Sequence, residues 1–141
     1  MRASSKPFEF RLDHSSGVPV YRQLMDQVQG AVASGRLKAG DQLPTIRKVA
    51  VDLAINPNTV SRAYRELEQC GTAETQHGTG CFVAEPNRLP EAHTEVRLRQ
   101  FAGEVAAKAG TLGLTIGQVV TELKRLDVRE KGKGHTNAIE D

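Results

Sequence analysis

The sequence predicts a mainly α chain with one small β-hairpin, on three patterns. Apolar residues recur at helical spacing in PVYRQLMDQVQGAVAS, TIRKVAVDL and TVSRAYRELEQ. A short stretch with a glycine-bounded tip, TAETQHGTGCFV, follows and reads as two strands. Beyond it the composition turns helical again, from about Glu91 to Leu112 and from Thr115 onward.

Taken in order, residues 1–17 read as an N-terminal arm. Met1 to Pro7 are expected to be mobile. Phe8, Phe10 and Leu12 then alternate with Glu9, Arg11 and Asp13, the pattern of a short strand or an extended arm with one apolar edge. Ser15, Ser16 and Gly17 break it. Pro19 suits the first turn of a helix that runs to about Ser34, with Val20, Leu24, Val28, Ala31 and Val32 on one face and Gly35 at its end. GRLKAGDQLP is then a turn and a short extended piece, cornered at Gly40 and Asp41, with Arg36 and Lys38 in solvent.

Two short helices come next. Thr45 is the expected cap of the first, and Ile46, Val49, Ala50 and Leu53 lie at i, i+3, i+4 and i+7 on its inner face. AINPN supplies a turn that Pro57 keeps from being helical. In the second helix Val60, Ala63, Tyr64 and Leu67 form the apolar stripe, and Gly71 closes it. At about 100° per residue, Asn58, Arg62, Arg65 and Gln69 line up opposite that stripe, with Ser61 beside them. Glu66 and Glu68 flank this strip rather than lie in it. An ordinary solvated face mixes both charge signs, whereas guanidinium, amide and hydroxyl groups on one acid-free ridge are the groups that read base edges and hold phosphates in a major groove. The hairpin tip at His77, Gly78, Thr79 and Gly80 is small and polar. Glycine there lets the backbone approach a sugar-phosphate surface closely, while Phe82 and Val83 anchor the returning strand.

Composition narrows the function classes. At 141 residues the chain is one small domain with a modest extension. It holds no apolar run of membrane-spanning length and no signal core in MRASSKPFEF, so it is expected to be soluble and cytoplasmic. A formal charge of +2 is close to neutral, so any claim of nucleic-acid binding rests on where the charges sit. Cys70 and Cys81 have no ligand spacing and read as buried or half-buried free thiols, a redox role for the pair being the sharper alternative. The four histidines are scattered, and no catalytic constellation, cofactor loop or metal site is legible.

Helix, extended piece, two angled helices and a hairpin is the order of a winged helix-turn-helix domain, expected over residues 18–85. The run from Pro19 to Val83 resembles the DNA-binding domain of the GntR family of bacterial transcriptional regulators, through SGRLKAGDQLP, LPTIRKVA, NPNTVSRAYRELE and HGTGCFV. The resemblance implies that Arg47 contacts backbone or base, that Asn58, Thr59, Ser61 and Arg62 enter the major groove, and that His77 and Gly78 touch the minor groove. It departs from the usual pattern at Pro57 and Ser61, where arginines are common, and in a wing tip without arginines, so the bases it reads are its own matter.

The remainder, residues 86–128, reads as a linker from Pro86 to Pro90 and two helices. The first carries Val96, Phe101, Val105 and Ala109; after Gly113, Thr115 and Gln118 form a capping box for the second, with Ile116, Val119, Val120 and Leu123 on its apolar face. Two helices of this size cannot close a core alone. Either a second copy or the chain's own first helix must cover them, and the second copy is the favoured reading. This matches the short YtrA-like subgroup, which resembles this chain in having a reader domain and a two-helix dimerisation tail. Residues 129–141 are polar and expected to be disordered.

The sequence therefore predicts a non-enzymatic homodimeric regulator, a repressor or autoregulator, on double-stranded operator DNA. Arg47, Arg65 and Lys48 are expected on phosphates and Thr79 with His77 and Gly78 at the wing. No cofactor and no membrane are implied. The tail leaves room for a small-molecule effector without indicating one. The alternatives are a winged-helix module that binds an acidic protein partner, and a reader fragment cut from an enzyme fusion.

Overall fold

The computed structural model describes residues 8–85 and 91–129, and the chain divides into two compact units between residues 86 and 87. In the first, α1 (Val20–Ser34), α2 (Ile46–Leu53) and α3 (Pro57–Gln69) pack together, followed by the antiparallel strands β1 (Ala73–Gln76) and β2 (Gly80–Val83). The core is assembled from most of the stripes read in the sequence, Leu24, Val28 and Ala31 of α1, Val49 and Ala50 of α2, and Val60, Ala63, Tyr64 and Leu67 of α3. Ile46, expected on the inner face of α2, is exposed at the start of the helix, and Leu53 at its end is half-buried. Met25 joins them, widening the α1 stripe beyond the strict spacing. Leu43 ahead of α2 is fully buried, and Ala73 and Val83 tie the hairpin to the same core.

Side-chain caps set the helix starts. Thr45 Oγ1 accepts the Lys48 amide at 3.1 Å, as expected for α2. The start of α3 corrects the sequence reading: Pro57 belongs to the first turn rather than to the preceding turn, with Asn56 at the cap accepting the Asn58 amide at 2.8 Å. A proline in that position gives up only an N–H that has no intrahelical partner. Pro19 shifts the other way, sitting at the cap of α1 outside its first turn. At the end of α2 the chain reverses through Ala54, at φ 55°, whose neighbour Ile55 donates to the Ala50 carbonyl at 3.0 Å.

The arm is extended but pairs with no strand among the described residues. Its backbone is held instead by two glutamines one turn apart on α1. Gln27 accepts the Arg11 amide and donates to the Arg11 carbonyl, at 2.9 and 2.6 Å. Gln23 does the same for Asp13, at 2.9 and 3.0 Å. Side-chain amides thus take the place of a ladder, and the apolar edge is used as read: Phe10 is buried, with Phe8 and Leu12 packed beside it.

The hairpin gains an edge from the loop before α2. Gly40 donates to Val83, Val83 to Asp41 and Leu43 to Cys81, each at 2.8 Å, so residues 40–43 lie along β2. The corner forms at Gly40 and Asp41 as read, with Asp41 Oδ2 accepting the Lys38 amide at 2.9 Å. Gly80 belongs to β2 rather than to the tip, paired with Gln76. Cys70 is exposed, not buried, while Cys81 is half-buried, and burial pushes its thiol pKa up.

The second unit consists of α4 (Glu91–Thr111) and α5 (Ile116–Leu126), which contact each other. The expected capping box is present: Thr115 Oγ1 accepts the Gln118 amide at 3.1 Å and Gln118 Oε1 accepts the Thr115 amide at 2.9 Å. Of the apolar residues read in this pair, Ala109 is buried, whereas Phe101 is 62 % and Ile116 58 % exposed. Helical backbone resumes at Val128 and Arg129, where Asp127 Oδ1 accepts the Arg129 amide at 3.0 Å, so the expected disorder does not begin at residue 129. The expected mobile start, the linker and the rest of the expected tail lie outside the described residues.

Candidate nucleic-acid interface

The candidate site is built on α3. Its inner face, Val60, Ala63, Tyr64 and Leu67, is buried throughout, which leaves the opposite face no freedom to rotate inward. Asn58, Arg62, Arg65 and Gln69 are all exposed on that face, and Thr59 and Ser61 beside them are half-buried. From Asn58 to Gln69 the row extends roughly 16 Å along the helix at 1.5 Å per residue. Its acids are directed elsewhere: Glu66 is half-buried, and Glu68 accepts the Thr75 amide of β1 at 3.0 Å. The row therefore presents cations, amides and hydroxyls without a competing carboxylate.

Two contacts fix how this helix is held. Tyr64 Oη donates to the Pro44 carbonyl at 2.6 Å, clamping α3 to the segment that leads into α2. On the outer side, the Arg62 guanidinium carbon lies 3.8 Å from the centre of the Tyr21 ring on α1. Sequence reasoning missed Tyr21, since nothing in its own helix's spacing ties it to position 62.

The remaining candidates fall into three settings. Arg47, in the first turn of α2, is exposed. Lys48 is exposed too, but its ammonium meets Asp52 one turn on at 2.9 Å, and that hydrogen bond raises its pKa above the ordinary lysine value. It also borders a cleft of about 310 Å³ beneath the arm, with Phe8, Phe10 and Leu53. Lys48 thus enters any contact already partly neutralised. At the wing, His77, Gly78 and Thr79 form the exposed tip, where Thr79 donates its amide to Gln76 at 3.0 Å and Gly78 takes φ 80°. Gln42 Nε2 reaches across from the loop before α2 to the Thr79 carbonyl at 2.9 Å and tethers the tip.

Among the described residues no cluster of histidine, cysteine or carboxylates could hold a metal ion, and no helix is long and apolar enough to cross a membrane.

This arrangement has close counterparts. The profile of bacterial regulatory proteins of the gntR family matches residues 20–83, from the start of α1 to the end of β2. The HTH-type transcriptional regulator YhcF of Bacillus subtilis is 32 % identical over 109 residues, covering 77 % of this chain and 90 % of that protein. The HTH-type transcriptional repressor YtrA of the same organism is 41 % identical over 75 residues, 53 % of this chain and 58 % of its own. Among solved structures, a transcriptional antiterminator from Listeria monocytogenes superposes with a TM-score of 0.63 at 28 % identity, over 85 % of this chain and 90 % of that one. A winged helix with an acid-free polar face, matched over this span to helix-turn-helix regulators, leaves one conclusion: the chain belongs to the gntR family of bacterial regulatory proteins and is a DNA-binding transcriptional regulator.

Proposed function

We propose that the chain acts as a homodimeric repressor or autoregulator on an operator of two-fold character, each copy offering one recognition helix and one wing to a half-site. The observation that carries this reading is the exposed, acid-free row Asn58, Arg62, Arg65 and Gln69 on a helix whose other face is fully packed. Asn58, Thr59, Ser61 and Arg62 read base edges, each good pair contributing roughly 1–3 kcal/mol of discrimination. Arg47, Arg65 and, more weakly, Lys48 hold phosphates, and the tip at His77, Gly78 and Thr79 lies along the minor groove. The exposed apolar residues of α4 and α5, Phe101, Ile116 and Leu123 among them, are the surface a second copy covers, at about 1.5–3 kcal/mol for each large side chain buried. The protein works in the cytoplasm, without cofactor or catalysis, and no residue pattern calls for an effector.

Selection of bound sequences from a random duplex pool tests the reading. A motif with two-fold symmetry, and retention that falls with salt, is the expected outcome; a pool that emerges unenriched sinks it. Sedimentation of the free protein tests the dimer, expected at twice 15.3 kDa and reduced to one chain by Phe101→Glu with Leu123→Glu.

A further inference from the structure

We propose that Tyr21 is a positioning residue for DNA reading: its ring is the platform on which the Arg62 guanidinium is laid flat and aimed outward from α3. The proposal rests on the DNA-reading function above. The Arg62 guanidinium carbon stands 3.8 Å from the ring centre, close enough for the planar group to lie against the aromatic face. Tyr21 is well placed to hold it. It sits in the first turn of α1, half-buried and packed against the core, and α1 and α3 are packed against each other. Among the described residues no carboxylate pairs with Arg62; the acid nearest in sequence to Tyr21, Asp26, is taken by Arg22 at 3.3 Å.

The consequence follows from guanidinium geometry. All five N–H donors lie in the plane of the group, so a guanidinium stacked face-on keeps every donor free at its edge. A free arginine spreads over many rotamers that DNA binding must then restrict, and a stacked one has lost most of that freedom beforehand. Among the described residues no ring stands against the Arg65 guanidinium, which fits a phosphate contact that tolerates more than one geometry.

The test uses the full chain, a duplex recovered by selection and a random duplex at one salt concentration, with Tyr21→Phe, Tyr21→Leu, Tyr21→Met, Arg62→Ala and the Tyr21→Leu/Arg62→Ala double variant. Thermal melting of each variant separates folding from binding. Tyr21→Phe keeps the platform and should bind the selected duplex within about twofold of the wild type. Tyr21→Leu and Tyr21→Met should bind it about two- to fivefold more weakly, the loss expected of an exposed cation–π contact. Random-duplex binding should not change. In the Arg62→Ala background, Tyr21→Leu should add nothing. An equal loss in both backgrounds, a Phe variant as weak as Leu, or Leu and Met variants that both bind like the wild type overturns the proposal. A wild type with no preference for any sequence is a different failure: it removes specific reading itself, and the proposal falls with it.

Discussion

Tyr64 on the recognition helix donates its hydroxyl to the Pro44 carbonyl across 2.6 Å, joining residues twenty positions apart at the two sides of the helix-turn-helix. The Tyr64 side chain is buried and Pro44 half-buried, so water has limited access to the bond, and Pro44 immediately precedes the Thr45 cap of α2.

Tyr64→Phe removes the donor and leaves the Pro44 carbonyl short of a partner. It should lower stability by about 1–2 kcal/mol in denaturant titration, with the packing otherwise kept. The pH dependence carries a sign. Burial, with a smaller push from Cys81, moves the Tyr64 phenol above its ordinary range. A raised folded-state value means this contribution is complete below the ordinary tyrosine pKa, about 10, and is lost as pH climbs toward the folded-state value. The wild type should therefore lose stability more steeply than Tyr64→Phe in the alkaline range; parallel curves would show that the phenol is not responsible.

Wing placement depends on Gly80. It takes φ 128°, and a Cβ built there lies 2.7 Å from Gln42 Nε2, the group that tethers the Thr79 carbonyl. Gly80→Ala should break that tether and strain the backbone, costing about 1–3 kcal/mol of stability. Duplex titration should also weaken, while Gln42→Ala, which loses only the tether, should lower duplex binding with a smaller change in melting.

Ala54 is a non-glycine residue in the left-handed region, at φ 55°, where the chain leaves α2. Replacing it with glycine removes the steric cost of the side chain there. Ala54→Gly should raise stability by up to about 1 kcal/mol after glycine's greater unfolded-state freedom is set against it. A lower melting temperature would show that the methyl group packs usefully.

Lys48 and Arg65 are both exposed cations, yet only Lys48 is tied to an acid on its own helix. Arg65→Ala should reduce the slope of log affinity against log salt by roughly one phosphate's worth, about 0.9. Lys48→Ala should reduce it by distinctly less, because Lys48, partly neutralised by Asp52, displaces less than one counterion from a phosphate in the wild type. Equal slopes for both variants would mean that the ion pair opens on DNA and costs nothing.

Much of this protein is local chemistry and could be read from the chain alone. The apolar stripes of α1, α2 and α3 recur at helical spacing, and the helix core forms from them because that spacing puts one face inward whatever it packs against. Thr45, Gly35 and the Thr115–Gln118 box act within one turn of backbone and were legible for the same reason. The polar row on α3 followed directly, since fixing the inner face fixes the outer one.

Relations between distant segments were settled only by the fold. The arm could have been a strand by its alternation, but Gln23 and Gln27 of α1 take its backbone hydrogen bonds instead. Tyr21 has no link to Arg62 in the sequence, whereas Lys48 and Asp52 stand four apart on one helix, so that their pairing follows from local spacing. Periodicity records which side of an element is apolar, not which residue from another element will stand across from it. That second fact is decided by how α1 and α3 cross, a property of packed surfaces rather than of either sequence segment.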